Sequence, residues 1–195
     1  MKLYYIIIND KSNVLGETME QFTYQVPEKV HISTIIPIIN EHGEAVFEIR
    51  KKQHKFLARI VHNSIRYGIP YCYKIANVNG ELLYTIDCAF PGIGYKMTDH
   101  LSSQTVSIAS HRVQLIEKGF HFRIGNHEFL FEKNHTGAGY LKCDNKQVAI
   151  VSMPIKTDIS LLKKSELDTI IIRSTTQEVA GLAAVLFHTF YYYAT

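Results

Sequence analysis

At 195 residues the chain is long enough to bury a full core without disulfide or metal staples. Its composition, 46% hydrophobic and 20% charged, excludes both a disordered chain and a polytopic membrane protein. A formal net charge of +3 falls well short of the dense Lys/Arg stripe that binding a phosphate backbone requires, so nucleic acid is not an expected partner.

The first apolar run, Leu3 to Ile8, gives way at once to Asn9, Asp10 and Lys11; it is too short for a signal-peptide core and reads as a strand. Cys72, Cys88 and Cys143 are odd in number and far apart. They argue against a disulfide framework and for a reducing, cytoplasmic setting. The Asn134-His135-Thr136 sequon then carries no meaning, because glycosylation needs a secreted chain.

Short alternating segments punctuated by Gly, Asn and Asp continue to about Arg173. The predicted strands after the first are Gln21–Val26, Thr34–Ile39, Ala45–Lys51, Phe56–His62, Tyr71–Asn77, Glu81–Cys88, Thr105–Ala109, Val113–Ile116, Phe120–Ile124, His127–Glu132, Gly139–Cys143, Val148–Met153 and Asp168–Arg173. No Pro/Ser-rich stretch or charge block divides them, so one domain over residues 1–195 is expected.

Two hairpins repeat one another. Asn40 to Ile49 and Asn77 to Ile86 share Asn-x-x-Gly-Glu-x-x-aromatic-x-Ile in register, which is turn chemistry followed by inward aromatic and Ile residues. With Asn79-Gly80 as a two-residue loop, Tyr71, Tyr73, Ile75, Leu82, Tyr84, Ile86 and Cys88 share one face, and Cys72, Lys74, Glu81, Thr85 and Asp87 the other. A Gly125-Asn126 loop likewise gathers Phe120, Phe122, Ile124, Phe129 and Phe131, and opposes Arg123 to Glu128 outside.

At Thr175 the period changes. Thr175-Thr176-Gln177-Glu178 reads as a capping box opening a helix, and Val179 to Thr195 contains no charged residue, with apolar side chains on every side. Such a helix is enclosed by protein or embedded in lipid. Enclosure is the leading expectation, since His188 and Thr189 interrupt a membrane span and a wide β-barrel lacks a filling of its own.

The repeated Asn-x-x-Gly-Glu hairpins, the Phe-rich hairpin around Gly125 and the uncharged final helix together resemble the tubby C-terminal-like superfamily, which includes LURP-one-related proteins and the phospholipid scramblase domain. The resemblance spans roughly Tyr4 to Ala194. It implies a mainly β fold: a closed antiparallel barrel of about twelve strands around a central apolar C-terminal α-helix, here at about residues 175–194. Tubby domains bind phosphoinositides through surface Lys and Arg, while LURP-one-related members have no established activity. The chain does not carry the Pro-rich leader, Cys cluster or hydrophilic segment after the helix seen in scramblases, so scrambling itself is not expected.

Catalytic and metal constellations find little support. His121 and His127, the closest histidines on one hairpin, project from opposite faces and cannot share an ion. His188 reads as a hydrogen-bonded core histidine. Cys72 and Asp87 are cross-strand neighbours without a His to serve as base. Gly92-Ile93-Gly94 and Gly137-Ala138-Gly139 are too short for a phosphate loop and read as turns or bulges. No cofactor is expected. The feature with chemical promise is Arg50, Lys51, Lys52 and Lys55, with Arg59 shortly after, clustered cations that suit anionic headgroups but read first as a solvated hairpin end protecting a sheet edge.

The expected function is a non-enzymatic binding or scaffold domain, a peripheral reader of anionic membrane lipid or of a protein partner. The alternatives are a tail-anchored membrane protein that spans with its C-terminal helix, and an enzyme with a site at the barrel mouth.

Overall fold

The computed structural model describes residues 18–52, 72–89, 94–112, 118–154 and 167–192. Among these residues are twelve strands: β1 (Glu20–Val26), β2 (Ile35–Asn40), β3 (Ala45–Lys52), β4 (Cys72–Asn77), β5 (Leu82–Ala89), β6 (Gly94–Asp99), β7 (Gln104–Arg112), β8 (Lys118–Ile124), β9 (His127–Lys133), β10 (Gly139–Cys143), β11 (Lys146–Ser152) and β12 (Asp168–Ser174). Each pairs antiparallel with its sequence neighbours, and β1 closes on β12 with Phe22 opposite Ile172 and Tyr24 opposite Ile170. Closure leaves no unpaired edge among the described strands.

Strand alternation directs the large apolar residues inward: Phe22 and Tyr24 on β1, Ile36 and Ile38 on β2, Phe129 and Phe131 on β9 are all buried. The helix α1 (Gln177–Phe190) occupies the space they surround. Every residue from Val179 to Phe190 is buried, with Leu182, Leu186 and Phe190 at 2%, 0% and 7% exposure. A helix apolar all round is stable in water only when walled on all sides, and this barrel supplies the wall. Among the described residues no helix is long and apolar enough to cross a membrane. In this fold strands cover the surface of the helix that lipid would cover in the tail-anchored reading.

The fit between rod and wall is close. A Cβ on Gly139 would meet Phe131 Cζ at 2.9 Å and Phe187 Cδ2 at 3.0 Å, so β10 approaches the helix where it does because no side chain intervenes. At the far end Phe190 stacks on Phe120 with centroids 4.0 Å apart and meets Tyr95 edge-on at 4.8 Å.

Several expectations need correction. Thr176, not Thr175, caps the helix: its side-chain oxygen accepts from the Val179 amide at 3.3 Å, and Glu178 serves as first-turn acid, not as a capping-box partner. The strand β6 went unanticipated, because inward Tyr95 and Met97 are followed by inward, buried Asp99, which breaks the apolar alternation. Asp99 instead organises the next loop, accepting from the Leu101 amide at 2.9 Å and the Ser102 hydroxyl at 2.6 Å. The expected strands Leu3–Ile8, Phe56–His62 and Val113–Ile116 lie outside the described residues.

The repeated hairpin is a three-residue loop, not a two-residue one. In both copies the Asn Oδ1 accepts two amides, from His42 and Glu44 on Asn40 and from Asn79 and Glu81 on Asn77, while the Asn amide nitrogen donates to the Glu carboxylate. Gly43 at φ 79° and Gly80 at φ 82° take the left-handed turn position. The bulge that accompanies the loop turns Leu82 outward, to 37% exposure, and buries Leu83. A third copy appears at Asn134, which accepts from Thr136 and Ala138 with Gly137 at φ 89°. The Asn-x-x-Gly signal was present there; Ala138 in place of Glu concealed it.

Candidate functional site: a cationic outer face on strands β3 to β6

On β3, Phe47 and Ile49 point inward, so Lys51 shares their face and Glu48, Arg50 and Lys52 face outward. Alternation therefore splits the cation run. Lys51 bends at the barrel end and donates to the Val30 carbonyl at 3.1 Å, and burial lowers its pKa. Arg50 holds Glu48 on its own strand at 2.7 Å, and Lys52 reaches Asp87 on β5 at 2.7 Å. Lys55 and Arg59 lie outside the described residues.

Strand pairing brings in cations that are distant in sequence. Arg50 stands opposite Lys74 on β4, and Asp87 stands opposite Lys96 on β6. The outer face of β3 to β6 thus carries Arg50, Lys52, Lys74 and Lys96 against the carboxylates Glu48 and Asp87. Among the described residues neither Lys74 nor Lys96 forms an ion pair within 4.0 Å. The outer face of β8 to β10 differs, since there Arg123 pairs with Glu128 at 2.6 Å and Lys142 pairs with Glu132. Ile35, 46% exposed, stands opposite Arg50 from the β2 side, and Ile32, 56% exposed, precedes it in the loop. Cations and aliphatics adjoin at that end.

The remaining candidates resolve into structural roles. Cys72 is buried, accepts from the Cys88 amide at 3.0 Å, and burial pushes its thiol up to about 12, so it is no nucleophile at neutral pH. The expected wet face of this hairpin is only partly wet, because Cys72 and Thr85 are both buried. His121 and His127 do fall on opposite faces, with His121 opposite Leu130 outside. His188 is fully buried among rings, edge-on to Tyr73 at 4.4 Å and stacked on Tyr192 at 5.1 Å, and burial lowers its pKa to about 3. Sequence reasoning missed Lys74 and Lys96. Each alternates outward on its strand, but their adjacency to Arg50 and Asp87 depends on pairing across the sheet.

No curated protein and no solved structure matches the chain. The family model of the Tubby C-terminal like domain matches residues 22–193, from the third residue of β1 through the whole of α1. With a closed twelve-stranded barrel around a buried C-terminal helix, the chain belongs to the Tubby C-terminal-like family, at the family level one of non-enzymatic binding and scaffold domains.

Proposed function

We propose that the protein is a peripheral reader of anionic lipid, docking the outer face of β3 to β6 and the adjoining Ile32 and Ile35 on a negatively charged bilayer. The observation that carries this reading is the excess of cations on that face: Arg50, Lys52, Lys74 and Lys96 outnumber Glu48 and Asp87. Basic residues at an anionic surface contribute about 1 kcal/mol each, and aliphatic side chains beside them add apolar contact with the acyl boundary. Lys74 and Lys96 do most of the work, because Arg50 and Lys52 already serve intramolecular carboxylates.

Co-sedimentation with vesicles tests it. Vesicles containing phosphatidylserine should pellet the protein and neutral phosphatidylcholine vesicles should not, with the difference shrinking as salt rises. The double substitution Lys74→Glu with Lys96→Glu should abolish the difference. Equal pelleting by both vesicles, or no effect of the double substitution, overturns the reading.

A further inference from the structure

Two neighbouring turns sit at the barrel end where the chain enters α1. Gly125-Asn126 joins β8 to β9, with Gly125 at φ 58°, and Asp144-Asn145 joins β10 to β11, both left-handed at φ 49° and 65°. Because β9 pairs with β10, placing Cys143 opposite Phe129, the start of β9 and the end of β10 lie side by side. His127 shares the face of Phe129, two residues on, so His127 and Cys143 are diagonal neighbours on one side of the sheet.

The left-handed turn then folds the Asp144 carboxylate back toward both. Its Oδ1 accepts from the Glu128 amide at 2.9 Å, its Oδ2 lies 2.6 Å from His127 Nδ1, and the Cys143 thiol donates to the same Oδ2 at 3.8 Å. One donor atom from each of the three residues lies within 4.8 Å of the other two. Three different donors, nitrogen, sulfur and oxygen, converge from two strand ends and one turn.

We propose that His127 Nδ1, Cys143 Sγ and Asp144 Oδ2 form a binding site for a single divalent transition ion of the Zn²⁺ type. The donor set selects that class: one thiolate and one imidazole suit a borderline-soft ion, whereas Ca²⁺ and Mg²⁺ require oxygen cages. Tetrahedral zinc, with ligands at about 2.0 to 2.3 Å, places its ligand atoms roughly 3.3 to 3.8 Å apart, inside the span of the three donors. The His127 and Asp144 side chains are 38% and 48% exposed, which leaves room to adjust and admits water as the fourth ligand. The Asp144–Glu128 hydrogen bond orients the carboxylate from behind. On binding, the ion replaces the proton between Nδ1 and Oδ2, the imidazole takes its Nε2–H tautomer, and the thiol proton leaves to solvent.

Titration of the full chain with Co²⁺ under reducing conditions tests the site, because a thiolate ligand gives a near-ultraviolet charge-transfer band absent from hydrogen-bonded thiols. A one-to-one band displaced by Zn²⁺ and untouched by Ca²⁺ or Mg²⁺ is expected. Cys143→Ala should remove it, and His127→Gln and Asp144→Asn should each weaken Co²⁺ binding at least tenfold. Asp144→Asn keeps a residue that tolerates the left-handed turn, so it reports ligation even if Cys143→Ala fails to fold. Absence of the band overturns the proposal, as does a band that survives Cys143→Ala or is indifferent to Asp144→Asn.

Discussion

Lys52 on β3 and Asp87 on β5 meet at 2.7 Å across the outside of β4, the strand that lies between theirs and begins at Cys72, the residue opposite Lys52. Both charges act on the Cys72 thiol, which is 2% exposed and packs with Cys88 and Tyr95 beside them.

Substituting Lys52→Ala should uncover Cys72. An aromatic disulfide reagent should label the variant faster than the parent protein, with Cys72→Ala abolishing the gain. Stability should fall by only about 1 kcal/mol or less, because a partly exposed ion pair contributes little. Unchanged labelling would show that something other than this pair shields the thiol.

Core truncation should be far more damaging. Leu186→Ala removes a fully buried side chain at the middle of the enclosed helix and should cost about 2–5 kcal/mol, read as a lower urea midpoint with an unchanged slope. Gly139→Ala adds a single methyl and should still cost about 1–3 kcal/mol, because the added carbon meets the Phe131 and Phe187 rings.

The turn asparagines should outrank their neighbours. Asn77→Ala deprives two loop amides of their acceptor and should cost about 1–2 kcal/mol, while Val78→Ala, whose side chain is exposed, should be close to neutral. Thermal melts of the two variants separate these outcomes, and equal effects would refute the role given to Asn77.

His188 makes stability depend on pH with a definite sign. Its folded pKa of about 3 lies below the ordinary value of 6.5, so between these values the unfolded chain binds a proton that the folded chain refuses. Above about pH 6.5 the residue contributes no slope; from there down to about pH 3 stability falls, by on the order of 5 kcal/mol in total; below that the loss levels off. The rings it meets include those of Tyr24, Tyr73 and Tyr192. Denaturant melts from pH 7 to pH 4 should show a shallower decline for His188→Phe than for the parent, and parallel declines would remove His188 as the cause.

What could be read from sequence alone was local. Asn-x-x-Gly turns, alternation of aromatic and polar residues, and a charge-free stretch after a Thr cap each report a conformation or an environment within a few residues, which is why the strands, the hairpins and the enclosed helix were legible. Where a buried polar group serves a local need, as Asp99 does, the same pattern misleads and a strand is lost. Which residues meet across the sheet is a separate matter, set by register between segments that the chain order does not rank. Only the closed barrel decided that Lys74 lies beside Arg50, that Lys52 reaches Asp87 across β4, and that His127 finds Asp144 and Cys143 instead of another histidine. Pairing energy is spent on backbone hydrogen bonds that look alike at every position, so the side chains that share a site are chosen by the fold as a whole.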